Sequence, residues 1–269
     1  MLIGELVVGI AAGVLAAMTG GGGGLVFVPV LLLMGLPVAE AVATSNVGIL
    51  ITTAAATVSN ARAGDVPWRR VLEIGIPAVL MAPLGALVAV RMPGALLLAL
   101  LAGLNVVNAI LAGRPVAGAD PDVDDAAPTE DSSALPARTI PRIAATGGSG
   151  GFLAGMFGIG GGLVVVPLQI IWLRTPIKVA ARVSLAVIVF SSAAAILGHL
   201  WSGGGIHWDA GIALGLGGLI GAPVGSFLLR RITPRAATVL LQVVLLAVAA
   251  QLTMRVVESA WPGARLPFG

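Results

Sequence analysis

The sequence predicts an all-α protein that crosses a membrane several times and consists of two related halves. Three observations support this prediction: an apolar composition, apolar segments of bilayer length along the chain, and a glycine-rich motif that occurs twice. Hydrophobic residues make up 58% of the 269 residues and charged residues only 10%, which leaves too little polar surface to cover a water-soluble core. The surrounding solvent must therefore be mostly lipid.

Eight apolar segments approach the roughly 20 residues that a helix needs to cross a bilayer, and two further segments are shorter. The longer segments are 3–18, 41–60, 71–90, 94–112, 143–157, 179–200, 209–229 and 236–254. The two shorter segments are 24–36 and 162–173. We interpret segment 3–18 as a retained helix and not as a signal peptide, because it lacks a basic beginning and carries Glu5.

The glycine-rich motif at residues 18–29 occurs again 138 positions later, at residues 156–167. Each copy begins with methionine, contains a glycine cluster and ends with proline. An Ala-Pro-x-Gly segment also recurs, at residues 82–85 and 222–225. Two such coincidences at nearly the same spacing predict an internal duplication.

The chain between the two repeats is rich in proline, aspartate, serine and alanine and has no apolar periodicity. We predict a solvated linker there. Its acidic residues match no EF-hand spacing, so a solvated linker is favoured over a metal site. The predicted domains are the first repeat at 1–112, the linker at 113–141, the second repeat at 142–257 and a C-terminal tail at 258–269.

The basic residues distinguish parallel from inverted repeats. If segments 3–18 and 24–36 form one broken span, the 15 Lys and Arg residues divide 8 to 7 between the two sides of the membrane. If they form a hairpin that returns to its starting side, the division is 12 to 3. We therefore predict two inverted-topology repeats, each a glycine-broken helical hairpin followed by three spanning helices. The basic side and the linker would be cytoplasmic, and both termini would lie outside.

The glycine clusters are the strongest candidates for a substrate-binding site. Glycine in a helix costs about 1 kcal/mol relative to alanine, so these clusters predict helix breaks that must be covered by protein or line a cavity. A helix that starts after a break presents backbone amides that can bind an anion, whereas close helix packing is the alternative explanation. The candidates are Gly20, Gly21, Gly22, Gly23 and Gly24, then Gly158, Gly160, Gly161 and Gly162, with Pro29 and Pro167 as structural helix breaks.

Hydroxyl and amide side chains follow each glycine-rich hairpin. Thr44, Ser45 and Asn46 lie at the start of the next span, and Ser184 occupies the matching place in the second repeat. Their donors would suit an oxyanion, although helix capping accounts for such residues equally well. His199 is a lone imidazole near a helix end, so a structural role is favoured over a ligand or proton role.

The motifs of enzymes are missing from the sequence. It contains no cysteine, no metal-ligand spacing, no Walker loop and no nucleophile elbow, so we predict no catalytic residue, metal or cofactor. Acidic residues are scarce in the spans, which argues against a cation or proton-coupled permease. The membrane potential drives an anion outward with about 2.3 kcal/mol per charge per 100 mV. We expect anion export, with a cation or proton-coupled permease or a nontransporting membrane subunit as alternatives.

The run GGGGGLVFVPVLLLMGLPVAEAVATSN resembles the motif of the sulfite exporter TauE/SafE family, and GIGGGLVVVP with ARVSLA resembles its second copy. The resemblance covers the chain outside the linker and implies a permease of the bacterial cytoplasmic membrane for sulfite, sulfonates or related anions. Val183 departs from the family pattern, in which a threonine precedes the serine. We expect a small anion and the lipid bilayer as partners and no nucleic acid, and a homodimer is compatible with the sequence.

Overall fold

The described part of the chain consists of helices and the turns between them, without a β-strand. The computed structural model describes residues 24–64, 66–112 and 140–231, together with Gly9, Ile10, Val14, Val243, Leu246 and Ala250. The helices are α1 (Gly24–Leu33), α2 (Val38–Arg62), α3 (Trp68–Arg91), α4 (Gly94–Ala112), α5 (Ile140–Phe157), α6 (Gly162–Leu173), α7 (Ile177–Trp201) and α8 (Trp208–Arg231). Most of the predicted linker and the predicted helix at 236–254 lie outside the described residues.

Three helical segments are long and apolar enough to cross a membrane, judged by length and composition. They are α2, α3 and residues Val179–Trp201 of α7. Shorter apolar segments occur in α4, α6 and α8. Large apolar side chains such as Leu80 (67% exposed) and Leu197 (66% exposed) cover the outside of these helices. This surface is suited to lipid and not to water.

Helices α5 and α6 form a hairpin around a glycine turn, which we define as residues 158–161. Gly158, Gly160 and Gly161 have φ angles of 62°, 77° and 70°, which are left-handed values that cost a residue with a Cβ about 1–2 kcal/mol. The start of α5 (Ile143) and the end of α6 (Leu173) pack on the same apolar cluster. Helix α6 therefore returns toward the end of the bundle at which α5 begins.

The prediction that Pro29 and Pro167 break their helices is wrong. Both prolines lie inside helices, Pro29 in α1 and Pro167 in α6. Each lies in the second turn, so the amide that proline lacks would have bonded only a carbonyl of the first turn. One missing bond this close to a helix start does not end the helix, and in the second repeat the break lies at the glycine turn.

Helices α3 and α5 pack closely along a glycine stripe, defined as Gly147, Gly151 and Gly155. These residues occupy every fourth position of α5 and so share one helix face. A Cβ added to each would collide with a backbone carbonyl oxygen of α3. The oxygens belong to Ile74, Ala78 and Ala82, respectively. Small residues at this spacing let membrane helices approach to backbone contact.

Helix α8 makes a similar contact with the N-terminal segment. A Cβ on Gly217 would lie 2.6 Å from the carbonyl carbon of Gly9, and a Cβ on Gly221 would collide with the carbonyl oxygen of Ile10. In the repeat alignment, α8 corresponds to α3 and the N-terminal segment corresponds to α5. The corresponding helix pairs are therefore both packed closely through glycine, although these two glycines belong to α8, the counterpart of α3, and not to the counterpart of α5.

Helices α2 and α7 run antiparallel. Glu40, in the first turn of α2, lies beside His207, which follows the end of α7. At the opposite end, Ala61 of α2 packs on the apolar cluster that includes Val183, near the start of α7. We call these two ends of the bundle the Glu40 end and the Arg62 end.

Basic residues gather at the Arg62 end. Helix α8 starts near the Glu40 end and runs alongside α2 in the same direction. A Cβ on Gly211 would lie 3.0 Å from the backbone carbonyl oxygen of Thr44, and a Cβ on Gly215 would lie 2.9 Å from the Cβ of Ile51. It therefore ends at the Arg62 end. In the described ranges, that end carries Arg62, Arg69, Arg70, Arg142, Arg174, Lys178, Arg182, Arg230 and Arg231, and the Glu40 end carries Arg91.

Candidate functional site

The starts of two short helices meet inside the bundle. Gly24, the first residue of α1, packs on the backbone of Ile159 in the glycine turn, because a Cβ on Gly24 would lie 2.7 Å from the Ile159 carbonyl oxygen. Both residues are buried. From this meeting point α1 leads to the Glu40 end and α6 leads to the Arg62 end. The structure thus brings together Gly24 and the glycine turn of the other repeat, two of the predicted candidates.

Backbone amides are the polar groups at the start of α6. The carbonyl of Gly161 accepts hydrogen bonds from the amides of Val164 and Val165, both at 3.0 Å. The amides of Gly162 and Leu163 come before these bonds and, like the first amides of any helix, have no acceptor within the helix. They lie at the positive end of the helix dipole. The start of α6 can therefore interact with negative charge without a cationic side chain.

Two isoleucines enclose the glycine turn. A Cβ on Gly160 would lie 3.1 Å from Cγ2 of Ile188 and 3.2 Å from Cγ2 of Ile49. Ile49 belongs to α2 and Ile188 to α7, so these two helices cover the turn from both repeats. The turn is buried throughout.

Ser45 joins α2 to the glycine turn. Its hydroxyl lies 2.8 Å from the carbonyl oxygen of Gly158 and 2.8 Å from that of Val42. A single hydroxyl hydrogen is shared between these two acceptors. Ser45 is fully buried, and its contact with Gly158 connects residues 113 positions apart. The predicted serine and the predicted glycine turn are therefore direct neighbours.

Thr44 joins α2 to the loop before α8. Its hydroxyl oxygen accepts a hydrogen bond of 3.0 Å from the backbone amide of His207. The ring of His207 also approaches Glu40, with Nε2 and Oε2 2.7 Å apart. The approach of His207 to Glu40 could not be predicted from the sequence, because the two residues are 167 positions apart and match no motif.

Asn46 and Ser184 have different surroundings. The Asn46 side chain is fully buried, and its Nδ2 donates to the carbonyl of Val42 at 3.0 Å. Its Oδ1 has no partner among the described residues. Ser184 accepts a hydrogen bond of 3.0 Å from Nε2 of Gln169 in α6. Gly20, Gly21, Gly22 and Gly23 lie outside the described residues.

His199 is packed between helices. It is fully buried, and its Nε2 donates to the Gly155 carbonyl at 3.0 Å. This bond ties α7 to the glycine stripe of α5 and agrees with the structural role favoured above. Within the described ranges, no group of three His, Asp or Glu side chains is arranged to hold a metal ion.

The family model of the sulfite exporter TauE/SafE matches residues 6–252 of the chain. The chain belongs to the sulfite exporter TauE/SafE family. It is a multi-pass membrane transporter, as its apolar helices also indicate. The matched range includes both glycine-rich motifs and the helices α1 and α6 that follow them.

Curated relatives of this TauE/SafE chain are also named as transporters. The probable membrane transporter protein ORF9 of a Sinorhizobium species is 31% identical over 211 residues, which cover 77% of this chain and 75% of the relative. The probable membrane transporter protein YunE of Bacillus subtilis (strain 168) is 33% identical over 102 residues, 38% of this chain and 37% of the relative. The probable membrane transporter protein MJ0441 of Methanocaldococcus jannaschii is 27% identical over 202 residues, which cover 72% of this chain and 71% of the relative. No solved structure matches significantly.

Proposed function

We propose that this TauE/SafE transporter exports a small oxyanion, such as sulfite or an organic sulfonate, across the bacterial cytoplasmic membrane. The observation that carries the proposal is the buried contact between Gly24 and Ile159. It brings the starts of α1 and α6 together, and helix starts attract anions through free amides and the helix dipole. Half-helices that point at an anionic group are a recurring device of transporters.

Each candidate residue has a role in this proposal. The amides of Gly160, Gly161 and Gly162 would face the anion from the second repeat, and Gly20 to Gly24 would do so from the first. Ser45 would hold the glycine turn in place through Gly158, at 2.8 Å. Thr44, Asn46 and Ser184 would line the approach to the same region.

We also propose that the two repeats are inverted and that the Arg62 end is cytoplasmic. The antiparallel course of α2 and α7 and the opposite directions of α1 and α6 support the inversion. The basic residues of the described helices divide nine to one in favour of the Arg62 end, and the positive-inside rule assigns such an end to the cytoplasm. Helix α4 begins at the Glu40 end and has 19 residues, a length that suffices to cross to the Arg62 end. The linker would then be cytoplasmic and both termini would lie outside.

Cysteine labelling tests this orientation, because the natural chain contains no cysteine. Met34→Cys places a thiol in the turn at the Glu40 end, and Ala63→Cys places one in the turn at the Arg62 end; both positions are exposed. A membrane-impermeant maleimide added to intact cells should label Met34→Cys, and Ala63→Cys only after permeabilisation. The reverse pattern would contradict the proposed orientation.

Proteoliposomes loaded with labelled sulfite test the transport function. We expect sulfite efflux that accelerates when a potassium diffusion potential makes the interior negative, and that does not follow a pH gradient at zero potential. Flux driven by the pH gradient alone would favour the proton-coupled alternative. Protein-independent leakage as the only flux would favour a nontransporting subunit.

A further inference from the structure

Three fully buried side chains in α2 and α7 carry a polar atom without a hydrogen-bond partner among the described residues: Asn46, Ser192 and His199, whose Nδ1 is unpaired. His199 lies two turns beyond Ser192 at the end of α7, whereas the other two lie close to the glycine turn. Asn46 Oδ1 in α2 and Ser192 Oγ in α7 have no hydrogen-bond partner among the described residues, and both side chains are 0% exposed. Buried polar atoms are nearly always hydrogen-bonded in folded proteins, because an unpaired atom has lost its hydrogen bonds to water and gained none in the protein. These two atoms therefore need a partner from outside the described chain.

The two residues lie at one level of the bundle, next to the glycine turn. Ile49 of α2 and Ile188 of α7 flank Gly160 from the two sides. Asn46 precedes Ile49 by three positions and Ser192 follows Ile188 by four, so each shares a helix face with its isoleucine. Because α2 and α7 are antiparallel, both steps lead one turn toward the Glu40 end.

Neighbouring hydroxyls on the same helices do find partners. Ser191 donates to the carbonyl of Ile188 at 3.3 Å, and Thr53 donates to the carbonyl of Ile49 at 2.6 Å. A buried serine or threonine in these helices can thus satisfy itself within its own turn. Thr57, two turns beyond Ile49 in α2, also lacks a partner. Among the described hydroxyls within one turn of Ile49 or Ile188, however, Ser192 is the one that is left unpaired.

We propose that Asn46 and Ser192 bind the transported anion beside the glycine turn and select an anion that carries a hydrogen-bond donor. The inference rests on the proposed function and adds Ser192 and a chemical requirement to it. The Val42 carbonyl can only accept a bond, so the Asn46 amide nitrogen must face it and Oδ1 is the atom left over. That oxygen is a pure acceptor.

The donor requirement follows from charge. A fully deprotonated oxyanion could face the amides at the start of α6, but it would have no hydrogen to donate to Asn46 Oδ1 and would place a negative oxygen against that acceptor. A protonated oxyanion, or an organic anion with a hydroxyl or ammonium group, can donate to Oδ1 while its negative oxygens face the start of α6. Such ligands supply a hydrogen bond to Asn46 Oδ1 and negative charge to the amides at the start of α6.

Inhibition of labelled sulfite efflux from proteoliposomes tests the inference with two probes, hydroxyethanesulfonate and propanesulfonate. They have the same charge and nearly the same size, but one carries a hydroxyl where the other has a methyl group. We expect the wild type to bind hydroxyethanesulfonate about three- to tenfold more tightly, the range of one net hydrogen bond. In this proposal the probe's hydroxyl donates to Asn46 Oδ1 and accepts from the Ser192 hydroxyl. Asn46→Leu and Ser192→Ala should therefore each reduce this preference to near one by weakening binding of the hydroxyl-bearing probe.

Matched controls are Ser191→Ala and Thr53→Val, which remove buried hydroxyls that have local partners and should keep the preference. Equal inhibition by the two probes in the wild type overturns the inference, and so does a preference that is unchanged in Ser192→Ala and Asn46→Leu. If the wild type still exports sulfite in either case, the proposed function is unaffected. Absence of efflux in the wild type counts against the proposed function itself. If Asn46→Leu does not fold, Ser192→Ala decides alone, because it removes a single atom.

Discussion

The glycine stripe and the glycine turn are adjacent in the chain and use the same residue for different purposes. Gly147, Gly151 and Gly155 are helical, and each would push a Cβ into a backbone oxygen of α3. The glycine turn instead has positive φ angles at Gly158, Gly160 and Gly161. Glycine is required in the stripe because of the space available. In the turn it is required because of backbone conformation, and at Gly158 and Gly161 also because a Cβ would meet the backbone of Val42 and Gly150, respectively. Close packing and helix breaking are therefore not rival explanations of the glycines here.

The largest effect is expected in the stripe, from Gly151→Val. A side chain there meets the backbone of Ala78, which cannot rotate away, so α3 and α5 would have to separate at a cost of about 3 kcal/mol or more. We expect little monodisperse protein in detergent, measured by size-exclusion chromatography after heating.

Gly148→Ala is the matched control for the stripe. It lies on the same helix, and its Cβ would make an ordinary contact of 3.5 Å with Met81 Cγ. Its melting temperature should stay level or rise slightly, since alanine favours the helix by about 1 kcal/mol. A Gly151→Val protein as stable as Gly148→Ala would contradict the close packing of α3 on α5.

An intermediate effect is expected in the turn, from Gly160→Ala. The φ angle of 77° strains alanine by about 1–2 kcal/mol, while the nearest neighbours are flexible isoleucine side chains. The fold should persist, and sulfite efflux should fall by about tenfold if that strain redirects the amides of the turn. A melting temperature that falls as far as in Gly151→Val, or an efflux rate that does not change, would remove the distinction between turn and stripe.

The smallest effect is expected from Ser45→Ala, which removes the bond that holds the turn to α2. Loss of a buried hydrogen bond lowers the free energy of unfolding by about 1–2 kcal/mol. In Ser45→Ala the carbonyl of Gly158 loses the hydrogen bond that it accepts from Ser45. Ser149→Ala is the control, because its side chain is half-buried and its hydroxyl bonds to carbonyls of its own helix α5, those of Ala145 and Thr146. A melting temperature equal in the two variants would show that Ser45 does not support the turn.

Much of the fold could be predicted from local sequence. Apolar segment length predicted α2, α3, α4 and α7 to within a few residues, because the bilayer sets the length of a spanning helix. The glycine cluster predicted a break before α6, which is present at the glycine turn. The prediction from the prolines was wrong, because the free-energy cost of proline in a helix depends on its position. Pro167 follows the start of α6 by only five residues.

Contacts between distant parts of the chain could not be predicted in the same way. Ser45 was a candidate for its hydroxyl, yet its partner Gly158 is known only from the fold. The approach of Glu40 to His207 follows from the antiparallel course of α2 and α7. Ser192 was not singled out, since its lack of a partner is a property of its surroundings and not of its residue type.

By itself, the sequence determined that this protein lies in a membrane, that a glycine-rich motif occurs twice in it, and that a helix breaks within residues 158–161. Those properties depend on composition, repetition and backbone preference, which are local. Only the tertiary structure decided which glycines pack helices, which helix starts meet, and which buried polar atoms lack partners. These depend on atoms brought together from distant positions, and the identity of a neighbour is not encoded in the residue that it touches.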